Sequence, residues 1–190
     1  MFRVAICGGI GSGKSAVTAV LRELGAKVVV ADEINAELLL DPEYIAEVKN
    51  IFPTTVDTSG IKKKELAAII YRNESEREKL MALAHPRIYQ RMLERFKDAA
   101  LVFYEIPLFS ECPLSFDLIW YVSADREERI SRIIRRDGMD RKLAERVLSL
   151  QAREDLLKKR ADVVISNDGD LNALRTAVES KYCSILKRFS

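Results

Sequence analysis

The chain has little cysteine, one histidine in 190 residues and only a slight excess of positive charge. Its three cysteines, Cys7, Cys112 and Cys183, are an odd number without a paired short spacing. That argues against a disulfide framework or a zinc site and favours a reducing compartment. The formal net charge of +2 argues against a dedicated nucleic-acid or membrane surface while leaving room for a local basic pocket. The opening stretch "MFRVAIC" is too short for a membrane span and lacks a small-residue cleavage pattern, so a cytoplasmic location is expected. No internal repeat or low-complexity segment appears, and the length suits one domain, alone or carrying insertions. The sequence leaves the oligomeric state open.

Five short segments rich in β-branched or aromatic residues read as buried strands: 2–7, 27–31, 100–105, 117–122 and 162–166. They are near-continuously apolar rather than alternating, the pattern of strands covered on both faces of a parallel sheet. Helical patterns separate them, so the class is α/β. Lys14–Glu23 has apolar residues at helical spacing and is followed by Gly25. Asp41-Pro42, Ser75 with Glu78, Asp125 with Glu128, Asp140 and Asp170 read as helix starts. About seventy residues part the second and third strands, where a crossover needs only about a dozen. They read as helix after helix, an inserted subdomain suited to a second substrate. A shorter, Arg-rich insertion lies between the fourth and fifth strands.

Of the eight glycines in the chain, four fall between Gly8 and Gly13, in the stretch "ICGGIGSGKSAV". Glycine packs nothing and is costly to order, so such a cluster marks a place where the backbone itself must come close to something. Gly8-x-x-x-x-Gly13-Lys14-Ser15 satisfies the P-loop pattern, with a strand before it and a helix after it. In that arrangement backbone N–H groups curl around phosphate oxygens, and the helix points its positive end at them. Gly9, Gly11, Ser12, Gly13, Lys14, Ser15 and Ala16 are therefore the expected nucleotide-binding set. Lys14 would neutralise the β- and γ-phosphates and Ser15 would coordinate Mg²⁺.

A P-loop names no reaction. The Asn-Lys-x-Asp element of a GTPase switch is missing, and a motor ATPase usually needs more sensor elements than this length supplies. The helical insertion and the Arg-rich insertion instead suit a kinase that closes over two substrates and keeps water out.

The chain resembles the dephospho-coenzyme A kinase family nearly throughout. "GGIGSGKS" (8–15), "LGAKVVVAD" (24–32), "HPRI" (85–88), "IPLFSE" (106–111), "RIIRRDG" (132–138), "Q" at 151, "ADVVI" (161–165) and "NDGDL" (167–171) follow one another in the family's order. The resemblance implies a three-layer P-loop core with a five-stranded parallel sheet, the first strand lying between the third and fourth. Residues 1–40, 99–128 and 160–190 would form that core, 41–98 a helical CoA-binding subdomain, and 129–159 a lid with its following helix. It also implies ATP and Mg²⁺ as cofactors and dephospho-CoA as acceptor. The reaction would be phosphorylation of the ribose 3′-hydroxyl, the last step of coenzyme A biosynthesis. Another small-molecule kinase, for nucleosides or nucleoside monophosphates, or a non-catalytic ATP-binding module, is the alternative.

Carried over residue by residue, the resemblance makes Asp32 the base near the sugar hydroxyl; capping of a helix starting near Glu33 is its other reading. The family's preceding Asp is Val30 here. Glu105 would hold Mg²⁺ through water beside Ser15, or stand as an ordinary strand-end carboxylate. Lys63 replaces a family Arg and would meet phosphates of the CoA portion, or lie on a solvated face. His85, before a proline, reads as a substrate-pocket residue or as the junction of two helices. Pro107 and Glu111 fall on the substrate side. Arg132 and Arg136, four apart, would stabilise the transferring phosphoryl group from one helix face, or pair with nearby acids such as Glu128 and Asp137. Asn167 would belong to the adenine-side loop, or to a plain turn.

Overall fold

The computed structural model describes residues 1–107, 109, 112–149 and 154–189. Its sheet is parallel and five-stranded, built from β1 (Phe2–Cys7), β2 (Val28–Val30), β5 (Leu101–Glu105), β6 (Leu118–Ser123) and β7 (Val163–Ser166). Their order is β2-β5-β1-β6-β7, so the first strand lies between the third and fourth of the five, as expected. Val4 sits opposite Phe103 on one side and Leu118 on the other, and Ser123 opposite Ser166. Val4, Ile6, Val102, Phe103, Tyr104, Trp120 and Val122 are completely buried. The Phe103 ring meets Trp120 and Tyr182 edge-on, with centroids 5.2 and 5.8 Å apart, an arrangement the aromatic quadrupole favours. β7 departs from the both-faces-covered expectation: it is an edge strand, and Val164 is exposed.

The chain forms two compact units, Met1–Val29 with Phe96–Ser190, and Val30–Arg95. In the first, α1 (Lys14–Glu23) and α9 (Leu171–Leu186) pack together, burying Val17 and Leu21 from one and Leu174, Val178 and Ile185 from the other. Asp170 caps α9 by accepting from the Ala173 amide at 2.8 Å. Helices α6 (Arg126–Asp137), α7 (Arg141–Ser149) and α8 (Glu154–Arg160) also belong to this unit. Asp125 caps α6 from Glu127 N at 2.8 Å, and Gly138 closes it at φ 65°.

The second unit contains α2 (Ala31–Leu38), α3 (Pro42–Ile51), a 3₁₀ turn at Pro53–Thr55, β3 (Val56–Asp57), β4 (Gly60–Ile61), α4 (Lys63–Arg72) and α5 (Glu74–Glu94). Residues 31–38, expected in the core, group here as α2: Ile34 and Leu38 are buried, and α2 packs on α5. The expectation of helix after helix also misses the small antiparallel hairpin β3–β4, in which Val56 pairs with Ile61.

Three local expectations need correction. The cap of α5 is Asn73, not Ser75: its side chain accepts from Ser75 N at 3.0 Å and Glu76 N at 3.4 Å. His85-Pro86 does not separate two helices, because α5 runs through Pro86. Proline removes one intrahelical donor, but tertiary packing of Ala84, Ile88 and Met92 holds the helix together. Asp32 does not cap a helix beginning near Glu33; Val30 occupies the cap position, and Asp32 lies in the first turn of α2.

Candidate functional site

The carboxyl ends of β1, β5, β6 and β7 lie side by side, and the site grows from them, as is general for open α/β sheets. Beyond β1 the chain enters the glycine loop, and α1 starts at Lys14 with no acidic residue in its first turn. No acidic side chain of that turn opposes the positive helix end. Lys14 Nζ lies over the loop and donates to the carbonyls of Gly8 at 2.8 Å and Gly9 at 3.2 Å. Gly9 and Ser12 are buried, and the Ser12 amide donates to Gly9 O at 3.2 Å. Ala16 donates its amide to Gly13 O at 3.0 Å.

The loop is braced from distant parts of the chain. Arg132 Nη2 donates to the carbonyl of Asn167 at 2.7 Å, and its Nη1 lies 3.3 and 3.4 Å from the carbonyls of Ser12 and Gly11. Asn167, only 6% exposed, turns its Nδ2 onto Ser12 O at 2.9 Å. Arg129 Nε donates to Ile10 O at 2.8 Å. The Ile10 side chain packs against Ile130, Ile133 and Ala144, a hydrophobic cluster of α6 and α7.

Such closeness explains two of the glycines. Gly13 has φ 90°, and a Cβ there would stand 2.0 Å from Asn167 Nδ2. Gly11 has φ 74°, and its Cβ would stand 2.8 Å from the carbonyl of Arg129. Both positions need a left-handed backbone and lack space for a side chain.

Asp168 ties the loop after β7 to the start of α6. It accepts from Asp125 N and from Ser166 Oγ, and these bonds, the Ser166 hydroxyl first, hold its carboxyl below the usual carboxylate range. At the end of β5, Glu105 is buried opposite Ile6 and accepts from Thr18 Oγ1 at 3.0 Å. Cys7 is buried too, and desolvation pushes its thiol up to about 12 against the opposing influence of Lys14.

Ser15, exposed on the first turn of α1, and Glu105 offer oxygen donors for a metal. Among the described residues no three of His, Cys, Asp and Glu come together. Mg²⁺, which takes one or two ligands from the protein and the rest from water and phosphate, fits this donor set.

The structure brings Gly9, Gly11, Ser12, Gly13, Lys14, Ser15, Ala16, Glu105, Arg132 and Asn167 into the first unit. Arg136 is also there, but its fork grips Asp137, with Nε 2.7 Å from Oδ1 and Nη2 2.8 Å from Oδ2. Pro107 is exposed just after β5, and Glu111 lies outside the described residues. Asp32, Lys63 and His85 belong to the second unit. There Asp32 is exposed, Lys63 is the exposed first residue of α4, and His85 is half-buried with its ring 5.6 Å from that of Tyr89.

Sequence reasoning missed Arg129, Ile10, Asp168 and Thr18. Arg129 is three residues before Arg132, a helical spacing that was open to reading. Thr18 gave a signal as well, being a polar residue on the buried stripe Val17, Thr18, Leu21.

Comparison with known proteins places the chain in a family. The family model described as dephospho-CoA kinase matches residues 2–173. A dephospho-CoA kinase from Fusobacterium nucleatum is 34% identical over 190 residues, covering 96% of this chain and 97% of the relative. Among solved structures, the Thermus thermophilus protein TT1252 superposes with a TM-score of 0.82 at 31% identity, over 96% of this chain and 97% of the other. The dephospho-CoA kinase from Campylobacter jejuni does so with a TM-score of 0.75 at 25% identity, over 99% and 98%. This chain belongs to the dephospho-CoA kinase family.

Proposed function

We propose that this protein transfers the γ-phosphoryl group of ATP to the ribose 3′-hydroxyl of dephospho-CoA, yielding CoA and ADP. The observation that carries the reading is the braced phosphate loop: a glycine cradle at a helix N-terminus, held in shape by Arg132 and Asn167 and carrying Lys14. A loop so fixed needs little reorganisation when a triphosphate enters, and preorganised donors are the main source of rate in phosphoryl transfer.

In this mechanism amides of Gly9 to Ser15 surround the phosphates, and Lys14 moves from its carbonyl partners to the β- and γ-oxygens. Asp32 orients the 3′ O–H and accepts its proton while the new O–P bond forms and the bond to the β-phosphate oxygen breaks. Arg132 faces charge developing on the equatorial oxygens, and Arg136 joins it by releasing Asp137. Asn167 borders the adenine. Lys63, His85, Pro107 and Glu111 contact the acceptor, Lys63 through its phosphates. Ser15 and Glu105 would hold Mg²⁺, which would supply neutralising charge to the phosphates. The activity is assigned to the cytoplasm, a reading supported by three free cysteines.

Coupled measurement of ADP release with dephospho-CoA against a panel of nucleosides and nucleoside monophosphates tests the reading. Turnover dependent on dephospho-CoA is expected. Turnover only with a nucleoside or nucleotide acceptor, or none with any, overturns it.

A further inference from the structure

Thr18 is 3% exposed and sits on the buried stripe of α1 between Val17 and Leu21. Its hydroxyl lies 3.0 Å from Ser15 O and 3.0 Å from Glu105 Oε2. A hydroxyl has one proton, so it donates to one acceptor at a time. When ionised, a carboxylate is the stronger acceptor of the two. The carboxylate belongs to the last residue of β5, whose backbone is fixed by pairing with Ile6 of β1. The strand therefore sets where the Glu105 side chain starts, and the Thr18 hydroxyl sets where one of its oxygens ends.

Ser15 and Thr18 are three residues apart on one helix, so a single turn carries a hydroxyl for the metal and a hydroxyl for the metal-side acid. We propose that Thr18 is a positioning residue that fixes the Glu105 carboxylate for the divalent cation accompanying the nucleotide. The proposal rests on the assignment of Glu105 to the metal given above. Groups that orient a metal-side carboxylate typically change metal affinity by about 10–100-fold when removed. A Thr18 that merely filled the core would affect stability and leave metal affinity alone.

The test compares the full-length wild type with Thr18→Val, which keeps the shape and removes the donor, and Thr18→Ser, which keeps the donor. Mn²⁺ is titrated into each protein saturated with the β,γ-imido analogue of ATP, and free Mn²⁺ is read by electron paramagnetic resonance. Binding of the analogue without metal is measured in parallel by calorimetry. Thr18→Val is expected to weaken Mn²⁺ about tenfold, with metal-free analogue affinity changed less than about twofold, and Thr18→Ser to restore it to within about twofold. If the valine variant does not fold, Thr18→Ala against Thr18→Ser provides the same contrast. Equal Mn²⁺ affinity with and without the donor overturns the role of Thr18 alone. A wild type with no affinity for the Mn²⁺ complex of the analogue overturns the kinase reading and this proposal with it.

Discussion

Arg132 holds the carbonyls of Asn167, Ser12 and Gly11 with one planar fork. A lysine ammonium is a compact point charge and cannot span three such acceptors. Arg132→Lys is therefore expected to lower turnover about a hundredfold although it conserves charge, a loss comparable to removing one preorganised donor in other enzymes. Steady-state ADP release checks it. Asp32→Asn separates base chemistry from nucleotide binding. The amide keeps the side chain's size but cannot take a proton, so kcat should fall by about 10²-fold or more while ATP affinity changes little. Preserved turnover would remove Asp32 from its role. At this scale the loop glycines and Lys14 were readable from spacing alone. Arg129 and Asp168 were not, because their partners are created by folding: Ile10 lies 119 positions from Arg129, and Asp125 lies 43 from Asp168.

Helix ends are decided by short-range chemistry, and most were legible. Asp41, Asp125, Asp140 and Asp170 each accept from a backbone amide two or three residues on. The start of α5 misled because Ser75 and Glu78 have capping-box spacing, yet Asn73, an equally good cap, comes first. Proline at 86 misled for the opposite reason: local preference predicts a break, but burial of Ala84, Ile88 and Met92 outweighs it. The β3–β4 hairpin is too short for periodicity to register. Helix α2 yields a prediction at this scale. Val30 has extended cap geometry, φ −113° and ψ 121°, but no side-chain acceptor. Val30→Asp should supply one and stabilise the protein by about 1 kcal/mol, seen as a higher denaturant midpoint with an unchanged slope.

For the whole molecule, titration sets the limits of stability. Asp41, Asp57, Asp137 and Asp168 all have lowered pKa values, caused first by side-chain hydrogen bonds from Arg91, Ser59, Arg136 and Ser166 respectively. Each binds its proton less readily folded than unfolded, so its contribution is complete above the ordinary value of 3.8 and is lost as pH falls below it. The buried Cys7 acts with the opposite slope. Unfolded, it ionises near 9.0, whereas folded it keeps its proton to about 12, so stability declines as pH rises through that interval. Burial raises Tyr44, Tyr104 and Tyr182 in the same sense. The urea midpoint is expected to be level near neutrality, to fall below about pH 4 and to fall above about pH 9, with Cys7→Ala flattening the alkaline side. The α/β class and strand order were legible because buried parallel strands are apolar without interruption. The division after Val29 was not, since it depends on which neighbour α2 packs against.

The bracing of the glycine loop has a consequence for the idea of a portable motif. A peptide cut from the amino-terminal strand, turn and helix would retain every letter of the signature. It would lose the guanidinium and amide hooks that grip the carbonyls of Ile10, Gly11 and Ser12, because these come from residues 129, 132 and 167. The cradle is thus a property of the assembled unit rather than of its famous dozen residues, and grafting those residues elsewhere would transplant the spelling without the shape.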